Sequence, residues 1–231
     1  MIPLAWSLAA VLAAAGVTPA LQPPGSFHDK EPRARDGETW LALRVGEKEA
    51  ALLPARLSVR AVHDEMLDAE GEKSGREVSS PVGDALMFLR VPGLSEGAVP
   101  RAKVASSESR MPHDDLQLGE RAYRIRTTCV PAGVREGQAQ LDCEIRLEQG
   151  GRSQRLVRMG GYVPQEGGMQ LGDDANPRIL FAGDLDRDGR LDLLFETSDH
   201  YNVSRPVLLL SSKAGADELV HEVARFESVG C

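Results

Sequence analysis

The sequence predicts a mainly β protein. An antiparallel sandwich or open barrel is expected over residues 39–165, and a small blade-like antiparallel sheet over residues 166–231. Three observations predict it. Short runs alternate between apolar and polar side chains, the period of a strand with one buried face. Few windows keep apolar residues at helical spacing for three turns without a Gly or Pro. Clusters of Gly, Pro, Ser and Asp separate the runs, as turns do between strands.

Composition narrows the function classes. The chain has 231 residues, 42% hydrophobic and 27% charged, with a net charge of −8. These values exclude a wholly disordered chain, a collagen and a multi-pass membrane protein. The acidic balance argues against nucleic acid as a partner, because a phosphate-backbone binder needs a basic face. Aromatic residues make up only 4%, so Leu, Val, Ile and Ala must build the core.

Residues 1–20, MIPLAWSLAAVLAAAGVTPA, carry no charge and end on the small residues Thr18-Pro19-Ala20. The apolar run is short for a bilayer span, which takes about 20 residues. It reads as a secretory signal peptide cleaved after Ala20, with an uncleaved anchor as the alternative. A secreted or periplasmic location follows, with no transmembrane segment once the signal is removed. Residues 21–38 mix Pro, Gly and both charge signs without periodicity and read as a linker or arm. Folded structure is expected from Thr39.

Within 39–165 the alternating runs are Trp40 to Val45, Arg56 to Val62, Leu86 to Val91, Ala122 to Thr127 and Leu141 to Leu147. Tyr123 and Ile125 fall on one face, Arg124 and Arg126 on the other, which is antiparallel sheet with one wet face. Residues 160–174 are Gly-rich and irregular. Four strand candidates follow at 178–182, 191–195, 207–211 and 219–226, the last compatible with a short helix as well.

Cys129, Cys143 and Cys231 are the only cysteines. The midpoint of the first two is Glu136, inside Gly133-Val134-Arg135-Glu136-Gly137, where a hairpin turn would sit. Cys129 and Cys143 would then face each other within disulfide range. Cys231 is left over, whether free, capped or paired between chains.

Residues 183–194 read GDLDRDGRLDLL and carry the chemistry. Asp184, Asp186 and Asp188 alternate, which places their carboxylates inside a tight loop, and Gly189 permits the return turn. The carbonyl of Arg190 can then point inward, and Asp192 closes the set through both oxygens. That makes six oxygens, the lower end of what calcium takes. Two like charges about 4 Å apart cost roughly 4 kcal/mol at an effective dielectric near 20, so four crowded aspartates call for a cation. An EF-hand would need its bidentate Glu at position twelve, where this chain has Phe195.

Asp-x-Asp-x-Asp-Gly-x-x-Asp between two strands resembles the FG-GAP/VCBS-type calcium loop of integrin propeller blades and many secreted bacterial proteins. Phe181-Ala182-Gly183 before it and Leu193-Leu194-Phe195 after it fit that pattern. The resemblance covers about 14 residues and implies Ca²⁺ as the bound ion. It implies Asp184, Asp186, Asp188, Arg190 (by its carbonyl) and Asp192 as the ligands. A propeller needs at least four blades and this chain shows one, so only the metal site is carried over.

Weaker candidates surround the loop. Asp173 and Asp174 are either an additional ligand pair for a second ion or a solvated turn. His28, His63, His113, His200 and His221 lack metal-ligand spacing. Asp199, His200 and Glu196 are the nearest acid–base candidates, but there is no nucleophile elbow, P-loop or dinucleotide fingerprint. The expected function is therefore a secreted calcium-binding protein. Calcium would stabilise the C-terminal sheet of a binding or envelope-associated module with an unidentified protein partner. The alternatives are a secreted hydrolase with a structural calcium, and a structural accessory protein joined through Cys231.

Overall fold

The computed structural model describes residues 17–47, 49–106, 111–164 and 166–230. Most of the expected signal segment, and Cys231, lie outside the described residues. The chain is mainly β, and its sheets include a curled half-barrel. Among the described residues, no helix is long and apolar enough to cross a membrane.

The first part of the chain holds β1 (Ala20–Gln22), β2 (Gly25–Phe27), β3 (Thr39–Val45), β4 (Ala50–Arg56), β5 (Ser58–Val62), β6 (Gly75–Ser79), β7 (Ala85–Arg90) and β8 (Gly97–Val99). Strands β1, β7, β3, β4 and β8 pair in that order as a five-stranded antiparallel sheet. Strands β2, β6 and β5 form a three-stranded sheet. Alternation gives β3 two apolar faces. Trp40 and Ala42 pack with Val78 of β6 and with Phe88, while Leu43 turns the other way.

The second part holds β9 (Lys103–Ser106), β10 (His113–Leu118), β11 (Arg121–Arg135), β12 (Gln138–Gln149), β13 (Arg152–Val163) and β14 (Gln170–Leu171), paired in reverse order as one six-stranded sheet. The β11–β12 turn is Glu136-Gly137, both at positive φ (52° and 79°), as a two-residue type I′ hairpin requires. That turn puts Cys129 directly opposite Cys143, and the two form a disulfide with Cα atoms 4.1 Å apart. Closing a loop of this length contributes roughly 3 kcal/mol in the chain-entropy model. We expect the Cys129→Ser/Cys143→Ser double variant to lose about that much in urea unfolding, with m slightly raised as the unfolded chain is freed. An unchanged midpoint would show that the cross-link carries no stability.

The last part holds β15 (Arg178–Gly183), β16 (Asp192–Glu196), β17 (Val203–Ser204), β18 (Pro206–Leu210), a 3₁₀ turn (Ser211–Lys213), β19 (His221–Arg225) and β20 (Ser228–Val229). Strands β15, β16, β18 and β19 make the expected four-stranded antiparallel sheet, and β19 is a strand rather than a helix. Strands β17 and β20 pair separately.

This sheet is the middle layer of the molecule. Leu193, Phe195, Val207 and Leu209 pack against Ile125, Ile145 and Leu147 of the six-stranded sheet. Their alternating neighbours Leu194, Leu208 and Leu210 pack against Leu43, Leu52 and Leu89 of the five-stranded sheet. Strands β16 and β18 are therefore buried on both faces along their whole length. The core does not divide at residue 165. The two sheets that cover opposite faces of 178–225 come mostly from 39–165, with β1 and β14 added at their edges, and each core needs both parts of the chain.

The linker expected over 21–38 is built into the fold instead. Leu21 and Gln22 are fully buried, and β1 pairs with β7, Ala20 opposite Arg90. Gln22 Oε1 accepts the backbone N–H of Arg33 (2.6 Å) and of Ala34 (3.4 Å). Glu31 accepts the N–H of Val229 (2.7 Å), and Phe27 meets Phe226 edge-on with centroids 5.3 Å apart. Strands of three residues are too short to show a period, and side-chain-to-backbone bonds replace a long ladder here.

Candidate metal centre

The acidic loop joins β15 to β16, and the strands on both sides fix its ends. Gly183 closes β15 where the chain segment before β9 crosses it. Asp184 N–H donates to the Pro100 carbonyl (2.9 Å), and Ala102 N–H to the Ala182 carbonyl (3.0 Å). A Cβ on Gly183 would fall on the Pro100 oxygen and on the Phe181 ring, so only Gly fits. Leu185, between two aspartates, is fully buried in the core shared with the five-stranded sheet. It pins the loop from its apolar side. Arg187 and Gly189 both have positive φ, 63° and 79°, and these two turns fold the loop back toward β16.

Asp184, Asp186 and Asp188 are brought together, each offering an oxygen within 4.8 Å of the others. Oxygens bound to one calcium at 2.3–2.6 Å lie up to roughly 5 Å apart, so the spacing suits that ion. Asp184 curls the loop by accepting the N–H of Asp188 and of Gly189, each at 2.9 Å. Burial pushes its carboxyl pKa up, against the lowering effect of those two bonds. Asp188 accepts the Arg190 N–H (2.8 Å), and the Arg190 guanidinium pairs with it at 2.7 Å. Asp186 Oδ2 accepts a hydrogen bond from the Ser212 hydroxyl. Its Oδ1 is buried and has no hydrogen-bond partner. A buried carboxylate oxygen without a donor is costly, and a cation is the group that would satisfy it.

Asp192 stands outside the group of three. It is fully buried beneath the loop, where Oδ2 accepts the Leu185 N–H and Oδ1 the Ser211 N–H, both at 2.8 Å. The Ser211 hydroxyl lies 3.1 Å from Asp192 Oδ1 and 3.1 Å from Asp188 Oδ2, bridging the two carboxylates with one proton. These bonds suit a residue that shapes the loop from below better than one that binds through both oxygens. Burial pushes its pKa up to about 7, with a smaller push from the Asp186 charge.

This shift sets a pH dependence. A carboxyl with a raised folded-state pKa binds its proton more tightly in the folded chain, so acid favours folding. In chelator, the Asp192 contribution is full below about pH 4 and is lost as pH rises to about 7. Across that window it amounts to on the order of 4 kcal/mol. We expect Asp192→Asn to flatten the fall in chelated stability between about pH 4 and 7, followed by urea titration at each pH. A variant with the wild-type slope would assign the titration elsewhere.

Ser211 and Ser212 carry little signal in the sequence: they follow the four-residue apolar run at the end of β18 as two hydroxyls at a strand end. Tyr123 reads from its alternation only as a core-facing residue, yet its hydroxyl accepts the Leu191 N–H (3.3 Å) and ties the loop exit to the six-stranded sheet. The Arg190 side chain takes part in the loop through its ion pair with Asp188.

The remaining candidates are engaged elsewhere. Asp173 pairs with His200 Nε2 (2.9 Å), the two residues forming a bridge between their segments. Asp199 pairs with Arg205 (3.1 Å). Glu196 is buried and accepts from Ser198 N–H, Ser204 Oγ and Arg205 N–H at 2.6–3.0 Å. These three acid–base candidates hold the 197–205 connection in place. In comparisons with protein-family models, curated proteins and solved structures, nothing matches the chain, so the likeness of the loop to FG-GAP/VCBS sites rests on its own residues.

Proposed function

We propose that this chain is an exported calcium-binding protein, in which calcium in the 183–194 loop stabilises the middle sheet of a binding or envelope-associated module. The observation that carries the reading is the buried, unpartnered Asp186 oxygen within a group of three carboxylates no more than 4.8 Å apart. Asp184, Asp186 and Asp188 would supply side-chain oxygens and Arg190 its carbonyl, with Asp192 beneath them. All are hard oxygen donors, which suits calcium. The Cys129–Cys143 disulfide supports an oxidising compartment, and so does the charge-free leader. Calcium is predicted to bind one site per chain in calorimetry and to raise the melting temperature over chelator, with magnesium much weaker. Equal melts in calcium and chelator would sink the proposal.

A further inference from the structure

Arg187 sits between Asp186 and Asp188, at φ 63°, in a backbone region that non-glycine residues seldom occupy. Its side chain leaves the acidic loop and spreads over residues 95–98, which lead into and begin the edge strand β8. Nη1 donates to the Ser95 hydroxyl (2.8 Å) and carbonyl (3.2 Å), Nη2 to the Glu96 carbonyl (3.1 Å), and Nε to the Ala98 carbonyl (3.1 Å). Gly97 lies beneath at φ 126°, where a Cβ would come within 3.0 Å of Nη2. One guanidinium thus satisfies three backbone carbonyls of a segment whose strand β8 also pairs with Ala50, Ala51 and Leu52. An arginine presents several donors in a rigid fork, and this geometry uses all three nitrogens.

We infer that Arg187 is a positioning residue for the cation. By docking the loop onto residues 95–98, it holds Asp186 and Asp188 in their converging orientation and couples occupancy of the loop to order at the β8 edge of the five-stranded sheet. The inference rests on the calcium reading. It makes a prediction of opposite sign to simple electrostatics. Removing a positive charge from beside a cation site should tighten binding by charge alone. If Arg187 positions the loop, removing it weakens binding, because the residue between two ligands loses the anchor that keeps it at positive φ.

The test uses the full chain, calcium chloride as the probe, calorimetry for affinity and hydrogen exchange for the 95–99 amides. In wild type, calcium is expected to slow exchange at 95–99. Arg187→Gln is expected to bind calcium at least tenfold more weakly and to lose that slowing, while exchange in β11 and β12 stays as in wild type. Arg187→Lys, which keeps the charge and one donor group, is expected to fall between the two. It also preserves the comparison if the Gln variant folds poorly. Wild-type or tighter affinity in Arg187→Gln overturns the inference and leaves the calcium reading standing, as does calcium-dependent protection at 95–99 in that variant. Absence of binding by wild type overturns both.

Discussion

Asp186→Asn is expected to remove the rise in melting temperature that the proposed calcium site would give, yet to leave the chelated protein at least as stable as wild type. The two halves of this expectation have one cause. Asp186 Oδ1 is buried without a donor, beside Asp184 and Asp188, so its charge is a liability until a cation arrives. The Asn side chain keeps an acceptor for the Ser212 hydroxyl and discards the charge. On the proposed calcium reading, calcium at a hundred times its Kd would stabilise the wild-type folded state by about 2.7 kcal/mol through linkage. For a chain of this size that is a rise of roughly 5–10 °C. The variant should show almost none of it. Melts of both proteins in chelator and in calcium decide the matter. A variant that keeps the full rise would place the ion elsewhere, and one that melts well below wild type in chelator would make Asp186 a structural residue.

Phe195→Ala is expected to cost about 3–5 kcal/mol, the usual loss for a buried phenylalanine. It should do so in one transition. Phe195 is fully buried against the six-stranded sheet, while Leu194, its neighbour on β16, is buried against the five-stranded sheet. A cavity on one side of this strand loosens the element that both outer sheets rest on. Trp40 reports from the far side of the five-stranded sheet, in the core it shares with β6. In a Trp6→Phe background its fluorescence should follow the same urea midpoint as far-ultraviolet circular dichroism, in wild type and variant alike. Separate midpoints, with Trp40 unaffected by the substitution, would mean that the layers unfold independently.

Much of this architecture is legible in the residues. Alternation located β3, β7, β11 and β12. The spacing of Cys129 and Cys143 about Glu136 placed the hairpin and its disulfide. Strand β13 escaped because its pairing with β12 shifts register between Ile145 and Arg146, and because Gly160-Gly161 interrupts the alternation near its end. Strand β4 escaped because Ala50, Ala51 and Ala55 flank only two leucines and a proline, a weak pattern on either face. The loop was legible as a set of carboxylates. Its geometry separates the three that converge from Asp192, which lies beneath and is held by the Leu185 and Ser211 amides.

Local chemistry, by itself, determined that the chain forms strands, where its best hairpin turns, and which short segment gathers its carboxylates. Each of these depends on residues a few positions apart, whose period, turn preference and charge act before any distant contact forms. Tertiary structure alone decided the layer order. Period-two alternation says that a face is buried, not what buries it. The apolar runs in β16 and β18 signal burial on both faces, but not that two sheets from the same upstream region would cover them. It also decided the loop's supports. Pro100, Tyr123, Ser211 and residues 95–98 reach the loop only because distant strands pack there, and no sequence spacing records a hydrogen bond spanning about ninety residues.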